Sequence, residues 1–227
     1  MDIEKLEQKI NIEFENKDLA RNAFVHRSYL NEHPDFEMGS NERLEYLGDA
    51  VLELATSEKL YNTYPEKPEG DLTNLRAALV CTTSLAEESA RLKLGEFLYL
   101  SRGEEDSGGR EREYILANTF EALLGAMYLD KSYKTCQKFV EENLFYKIEE
   151  IVENGTYKDA KSTLQERAQE EIGITPTYKV LEDWGPDHAK NFKMGVFLNA
   201  KQIGIGEGQS KQEGEQAAAQ DALEKWQ

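Results

Sequence analysis

The chain has 227 residues, of which 39% are apolar, so it can bury one large core or two modest ones and is not disordered throughout. Its net charge of −17 argues against an extended basic footprint for nucleic acid, although a local basic patch or bound cations could still hold phosphate. We expect no membrane span, because no run of about 18 apolar residues occurs. The charged start MDIEKLEQKI and the two cysteines predict a cytoplasmic chain without a disulfide framework.

The acidity is uneven along the chain. Residues 156–227 carry 9 Lys and Arg against 12 Asp and Glu, a net charge of −3. The totals of 27 and 44 leave 18 against 32 for residues 1–155, a net charge of −14. Such an asymmetry indicates two domains with different tasks.

Residues 1–151 are predicted to form a helical domain. Apolar residues recur at helical spacing in 75–92 and 115–129, and alternating strand-like runs are scarce. Segments rich in Gly, Pro and charge predict breaks between helices at 31–40, 64–71 and 101–113. Residues 152–157 are predicted to be a linker.

The pattern changes in residues 158–227, which are predicted to form a second domain. Its first helix is predicted to end at Gly173, and Ser210 and Glu213 have the spacing of a capping box that starts its last helix. Alternating runs between them predict strands. The predicted order is therefore α-β-β-β-α, with helix 159–173, strands within 175–185 and 191–208, and helix 210–226.

The stretch NERLEYLGDAVLEL (41–54) combines a carboxylate face with an apolar stripe. Glu42, Glu45 and Asp49 are spaced +3 and +4, so they share one face of a helix. The apolar stripe consists of Leu44, Leu47, Val51 and Leu54. A solvated acidic face is one reading of this pattern, because such faces are common on amphipathic helices.

A second segment, ILANTFEALLGAMYLD (115–130), favours a metal site instead. Asn118 and Glu121 are spaced +3 inside an apolar run, where charge is costly unless it is paired or bound to a cation. If the two helices pack together, Glu45, Asp49, Asn118 and Glu121 would converge. Oxygen ligands of this kind suit Mg²⁺, which supports phosphodiester hydrolysis by activating water and neutralising developing charge.

These stretches resemble bacterial ribonuclease III. NERLEYLGDAVLEL is similar to its signature motif, and four further stretches match in order: HRSY (26–29), EGDLTNLRAALV (69–80), GEEDSGGRERE (103–113) and ILANTFEALLGAMYLD (115–130). The later residues resemble a double-stranded-RNA-binding domain through LQERAQ (164–169), GPDHAKNF (185–192) and GEGQSKQEGEQAAAQDAL (206–223).

The resemblance implies an all-α endonuclease domain of the ribonuclease III fold, followed by a small α+β domain that binds double-stranded RNA. It implies a homodimer that cleaves both strands with Mg²⁺, for which Mn²⁺ can substitute, leaving 5′-phosphates and 3′-hydroxyls. The expected substrates are ribosomal RNA precursors and other structured RNAs, including messenger and transfer RNA precursors.

The resemblance also assigns roles to residues of this chain. Asp49, Glu121, Glu42 and Glu69 match catalytic carboxylates, and Tyr46 matches an aromatic residue that inserts into the partner subunit. The metal ligands it implies are Glu45, Asp49, Asn118 and Glu121. Asn118 departs from the family pattern, which usually has Asp. We expect its neutral oxygen to weaken metal affinity while the site still works.

The second domain is expected to contact RNA at three places: its first helix, the loop between its first two strands, and the start of its last helix. The matching residues are Thr163, Gln165 and Glu166; Pro186, His188 and Ala189; and Ser210, Lys211 and Gln212. Gln212 stands where Lys is common and Gly214 where Ala is usual, which predicts weaker binding.

Two other functions compete with this one. A binding protein of the same fold would have lost several site carboxylates, whereas this chain keeps Glu42, Glu45, Asp49, Glu69 and Glu121. An acidic scaffold unrelated to RNA would require the match of ordered motifs to be accidental. An enzyme is therefore the function that we expect.

Overall fold

The computed structural model describes residues 1–155, 157, 159–186 and 190–226. The chain forms two compact units, Met1–Tyr157 and Lys158–Gln227. The described part of the first unit is helical: α1 (Ile3–Ile10), α2 (Lys17–Asn22), α3 (Arg27–Glu32), α4 (Glu42–Thr63), α5 (Glu69–Leu79), α6 (Thr82–Arg91), α7 (Arg102–Asp106), α8 (Glu113–Asp130), α9 (Tyr133–Asn143) and α10 (Lys147–Asn154). Two short 3-10 helices, Leu94–Phe97 and Gly109–Glu111, join these elements.

Helix α8 is the centre of the first unit. Between Ile115 and Met127, every side chain except those of Asn118 and Glu121 is buried. A helix that is apolar around nearly its whole circumference belongs in a core. Helix α4 packs directly along it, so the two polar residues of α8 are left at this helix–helix contact.

The second unit is α11 (Ala160–Ile172), strands β1 (Thr177–Trp184), β2 (Asn191–Leu198) and β3 (Lys201–Gly208), and α12 (Lys211–Glu224). The strands form one antiparallel sheet in the order β1-β2-β3. Helix α12 lies on β3 at close range, because glycines at 204, 206 and 208 leave room for its backbone. The helical first domain and the α-β-β-β-α order predicted from the sequence are thus confirmed.

The two predicted helix ends of the second unit are also confirmed. Gly173 ends α11 in the left-handed region, with φ of 70°. The Ser210 hydroxyl accepts a hydrogen bond from the Glu213 amide at 3.2 Å, which caps α12. In a standard capping box the Glu213 carboxylate would accept from the amide of Ser210, the N-cap residue. Here it accepts from the amide of the preceding residue, Gln209, at 2.8 Å.

Two predicted breaks contain more helix than the sequence suggested. Helix α5 already begins at Glu69, inside the predicted break 64–71. Helix α7 and the second 3-10 helix fall within 101–113. Both local and longer-range bonds hold this segment: the Ser101 hydroxyl caps α7 by accepting from the Glu104 amide at 3.2 Å, and Arg110 donates to the carbonyl oxygens of Gly95 and Leu98 at 2.9 and 3.0 Å.

The structure also extends the first unit into the predicted linker 152–157. Helix α10 runs to Asn154, and Val152 packs against the first core. Tyr157 is buried in the same core and accepts a hydrogen bond from Lys67 at 2.9 Å. Thr156 lies outside the described residues. No helix in the described ranges is long and apolar enough to cross a bilayer.

Candidate active site and RNA-binding surface

A pair of glycines brings helices α4 and α8 into backbone contact. A Cβ atom added at Gly48 would overlap the carbonyl oxygen of Glu121, and one added at Gly125 would overlap that of Leu44. Only glycine allows so close an approach. The contact therefore places the side chains around Gly48 beside those around Glu121.

Three carboxylates lie close enough at this contact for their charges to interact. Burial, followed by the nearby charges of Asp49 and Glu45, raises the pKa of Glu121 to about 7. Burial also raises the pKa of Glu45, and so do the charges of Glu42 and Asp49. Among the described residues, no lysine or arginine forms an ion pair with Glu45, Asp49 or Glu121. The site thus holds negative charge without a cation from the chain.

Asn118 joins the same cluster by a hydrogen bond to Glu45, which opposes the rise in the pKa of that carboxyl. Since a carboxylate only accepts, the Asn118 amide group is the donor and its carbonyl oxygen remains for another partner. Asp in this place could not donate while ionised. Asn118 thus lies within hydrogen-bonding reach of Glu45.

The donor set fits a hard divalent cation. Glu45, Asp49 and Glu121 supply carboxylate oxygens and Asn118 a neutral one, the ligand types that Mg²⁺ prefers. Within the residues that the structure describes, no three His, Cys, Asp or Glu side chains are already drawn together at metal-binding distances. The charges of Asp49 and Glu45 contribute, after burial, to the raised pKa of Glu121, and a cation would oppose that contribution.

The two remaining predicted carboxylates lie differently. Glu42 is exposed at the start of α4, where it accepts from Ser40 Oγ at 2.8 Å and lies 3.6 Å from Arg27. Its charge still reaches Glu45. Glu69 begins α5 and accepts from Thr73 at 3.0 Å. In the described chain, no hydrogen bond or ion pair links Glu69 to the α4–α8 carboxylates.

Tyr46 is one of several large apolar side chains that the first unit exposes. On α4, Tyr46 is 81% exposed, Leu54 56% and Tyr61 72%. Tyr128 and Leu129, at the end of α8, are also exposed. The sequence pattern grouped Leu54 with the apolar stripe of Leu44 and Val51, but Leu54 is exposed whereas those two are buried. Spacings of eight and seven residues put Tyr46, Leu54 and Tyr61 on one side of α4. Large exposed apolar patches mark interaction sites.

The predicted RNA contacts that the structure describes are accessible. Thr163, Gln165 and Glu166 are exposed on α11, opposite the buried Leu164. Pro186 is exposed after β1, whereas His188 and Ala189 lie outside the described residues. At the start of α12 are Ser210, Lys211 and Gln212, of which the last two are exposed. Free N–H groups at a helix start favour phosphate.

Gly214 has a packing role that sequence reasoning missed. A Cβ atom there would come within 2.6 Å of Met194 Cγ, so the methionine fills the space that a larger residue would need. Met194 belongs to the buried core of the second unit. With Met at position 194, glycine at position 214 avoids a steric clash.

Each of the two units matches a known family model. Residues 16–148 match the family model of ribonuclease-III-like domains, and residues 160–226 match that of the double-stranded RNA binding motif. Together with the helical fold and its carboxylate cluster, these matches define the class: a nuclease domain joined to a domain that binds double-stranded RNA.

Individual relatives agree over nearly the whole chain. Ribonuclease 3 of Oceanobacillus iheyensis is 45% identical over 227 residues, which cover 99% of this chain and 98% of that protein. Ribonuclease 3 of Geobacillus kaustophilus is 47% identical, with 97% and 89% covered. A solved nuclease domain of ribonuclease III from Campylobacter jejuni is 39% identical and superposes with a TM-score of 0.59, covering 64% of this chain and 97% of that domain. The chain belongs to the ribonuclease III family and is an endoribonuclease of that type.

Proposed function

We propose that this enzyme cleaves both strands of double-stranded RNA in a Mg²⁺-dependent reaction, leaving 5′-phosphate and 3′-hydroxyl ends. The observation that carries the proposal is the cluster of Glu45, Asp49 and Glu121, in which burial and the neighbouring carboxylates raise the pKa of Glu121 to about 7 and no described lysine or arginine forms an ion pair. We further propose that it acts in the cytoplasm on ribosomal RNA precursors and other structured RNAs.

Bound Mg²⁺ would supply an activated water and neutralise charge on the phosphate. The residues that would hold it are Glu45, Asp49, Glu121 and Asn118, and Mn²⁺ accepts the same oxygen donors. Asp49 is exposed, so its carboxylate is accessible to the phosphodiester, whereas Glu121 is recessed at the glycine contact. Asn118 fixes Glu45 by its amide hydrogen bond.

We propose that the apolar face of α4 forms the contact of a homodimer. Its exposed Tyr46, Leu54 and Tyr61 would be shielded from water by a second copy. The Campylobacter jejuni nuclease domain is described as having a region involved in dimer formation. Two subunits provide two acidic clusters, so each can cut one strand.

The second unit would hold the duplex by its shape. Its exposed residues on α11 and at the start of α12 are suited to 2′-hydroxyls and phosphates, which are the groups that distinguish an RNA duplex. Lys211 adds positive charge beside the free N–H groups of α12.

A gel assay tests the activity. A long labelled RNA duplex is incubated with the enzyme over a series of Mg²⁺ concentrations, with a chelator control and the variant Asp49→Asn. We expect Mg²⁺-dependent shortening in the wild type and none in either control. Glu53→Gln is the matched variant, since Glu53 is exposed on α4 one turn beyond Asp49, and it should cleave normally.

The product ends are tested on the same samples. Ends bearing a 5′-phosphate accept a kinase label only after phosphatase treatment. A duplex that is shifted but never cut, at any Mg²⁺ concentration, would show a binding protein instead of an enzyme.

A further inference from the structure

Arg27 has a loosely held side chain beside Glu42, whose charge acts on Glu45 of the acidic cluster. It is the first residue of α3, and its guanidinium lies 3.6 Å from the Glu42 carboxylate. The side chain is 74% exposed. An exposed ion pair this long is weak in water, so either partner can exchange it for another.

The backbone under Arg27 is firmly fixed. His26 Nδ1 is bonded to Ser28 Oγ at 2.8 Å, and the same hydroxyl accepts from the Ser101 amide at 3.1 Å. At the other end of α3, Glu32 accepts from the Arg102 amide at 3.0 Å. Helix α3 is thus joined to the start of α7 at both ends, and Arg27 projects from a rigid base.

Arg112 also lies near His26, but its guanidinium is bonded within its own loop. It pairs with Glu104 and donates to the Ser107 carbonyl and hydroxyl oxygens at 3.0 and 2.9 Å. Binding a ligand there would break several bonds. At Arg27, the weak contact with Glu42 is the one side-chain bond to another described residue that would be lost.

Residues 1–155 carry a net charge of −14, so a phosphate backbone approaching the cluster meets strong repulsion. We propose that Arg27 binds a backbone phosphate of the RNA duplex, exchanging Glu42 for the phosphate and thereby holding the strand beside Glu45 and Asp49. This inference rests on the proposed function, because it assumes an RNA duplex at the cluster. It makes Arg27 a substrate-positioning residue outside the RNA-binding unit.

The test compares Arg27→Ala with a matched control, Lys138→Ala. Lys138 also lies 3.6 Å from its partner, Glu142, and is 71% exposed. Both variants therefore lose one positive charge from a similar pair. Affinity for a duplex longer than the ~16 base pairs that an RNA-binding module spans is measured in chelator over a salt series.

We expect Arg27→Ala to bind the duplex roughly threefold to tenfold more weakly at low salt, and to lower the slope of log affinity against log salt by about one per contacting subunit. Arg27→Lys should keep the wild-type slope, because the charge remains. Lys138→Ala should match the wild type. With Mg²⁺, Arg27→Ala should raise KM for the duplex and leave kcat unchanged within about twofold.

Wild-type affinity and slope in Arg27→Ala would overturn the inference and leave the proposed function standing. A drop equal to that in Lys138→Ala would overturn it too, since only overall charge would then matter. If the wild type bound no duplex at all, the proposed function and this inference would both fail. Circular dichroism checks the fold of each variant, and Arg27→Gln replaces Arg27→Ala if the latter does not fold.

Discussion

At the scale of single residues, Glu121 shows how the proposed site opposes stability. Its pKa is raised to about 7 in the folded chain, against about 4.5 when unfolded. Below the lower value, both states hold the proton and no penalty exists. Between the two values the unfolded state ionises while the folded state keeps its proton, so stability falls as the pH rises, and above about 7 the full penalty is present.

The variant Glu121→Gln should therefore stabilise the metal-free protein at pH 8 but not at pH 4. One pKa unit corresponds to about 1.4 kcal/mol, so with solvent screening the gain should be on the order of 2 kcal/mol. Urea unfolding in chelator at the two pH values measures it, with Glu53→Gln as control. The same variant should lose cleavage, because one of the proposed metal ligands is gone. Equal effects at both pH values would contradict the assigned cause.

Asn118 offers a second test at this scale. Asn118→Asp adds a charge to the cluster and removes the amide that donates to Glu45. We expect Mg²⁺ affinity to rise roughly tenfold, as for changes around other metal ligands, while the cleavage rate at saturating Mg²⁺ changes by less than about tenfold. A Mg²⁺ titration of the cleavage rate separates the two quantities. A gain of several orders of magnitude at saturation would show that Asn118 disables the site.

At the scale of elements, the approach of α4 to α8 determines the site. Gly48→Ala would drive a methyl group into the Glu121 carbonyl, and backbone atoms cannot move aside as a flexible side chain can. We expect a loss of about 3 kcal/mol, at the upper end for overpacking, together with loss of cleavage. Gly70→Ala is the control, since nothing lies within 4 Å of a Cβ atom there. Thermal unfolding measures both, and equal melting temperatures would disprove the close contact.

The sequence predicts some of these elements better than others, for physical reasons. Helix α8 follows from a long apolar period, and the α12 start follows from local capping residues. Helix α7 is not foreseen, because its local Ser101 cap stands in a Gly-rich, charged stretch and further support comes from the distant groups Glu32 and Ser28. The Arg27–Glu42 contact is missed for the same reason, since spacing reports only neighbours on one helix.

At the scale of the whole molecule, the two units differ in net charge and in the kind of surface that they expose. The first unit carries most of the negative charge, and its exposed α4 face is apolar. The second unit is nearly balanced in charge and presents helix ends and polar side chains. The net charge of the whole chain therefore argues against RNA binding, whereas the nearly balanced charge of the second unit is compatible with it.

The dimer proposed for this enzyme gives a prediction at the same scale. Leu54→Glu places a charge in the middle of the exposed α4 face, where burial against a partner would strip its water. We expect a dimer-to-monomer shift in sedimentation at micromolar concentration, and loss of cleavage of both strands. Ile172→Glu is the control, because Ile172 is similarly exposed, at 50%, but lies on α11 of the second unit. A variant that stays dimeric would place the contact elsewhere on the first unit. A monomer that still cuts both strands would show that one acidic cluster acts on each strand in turn.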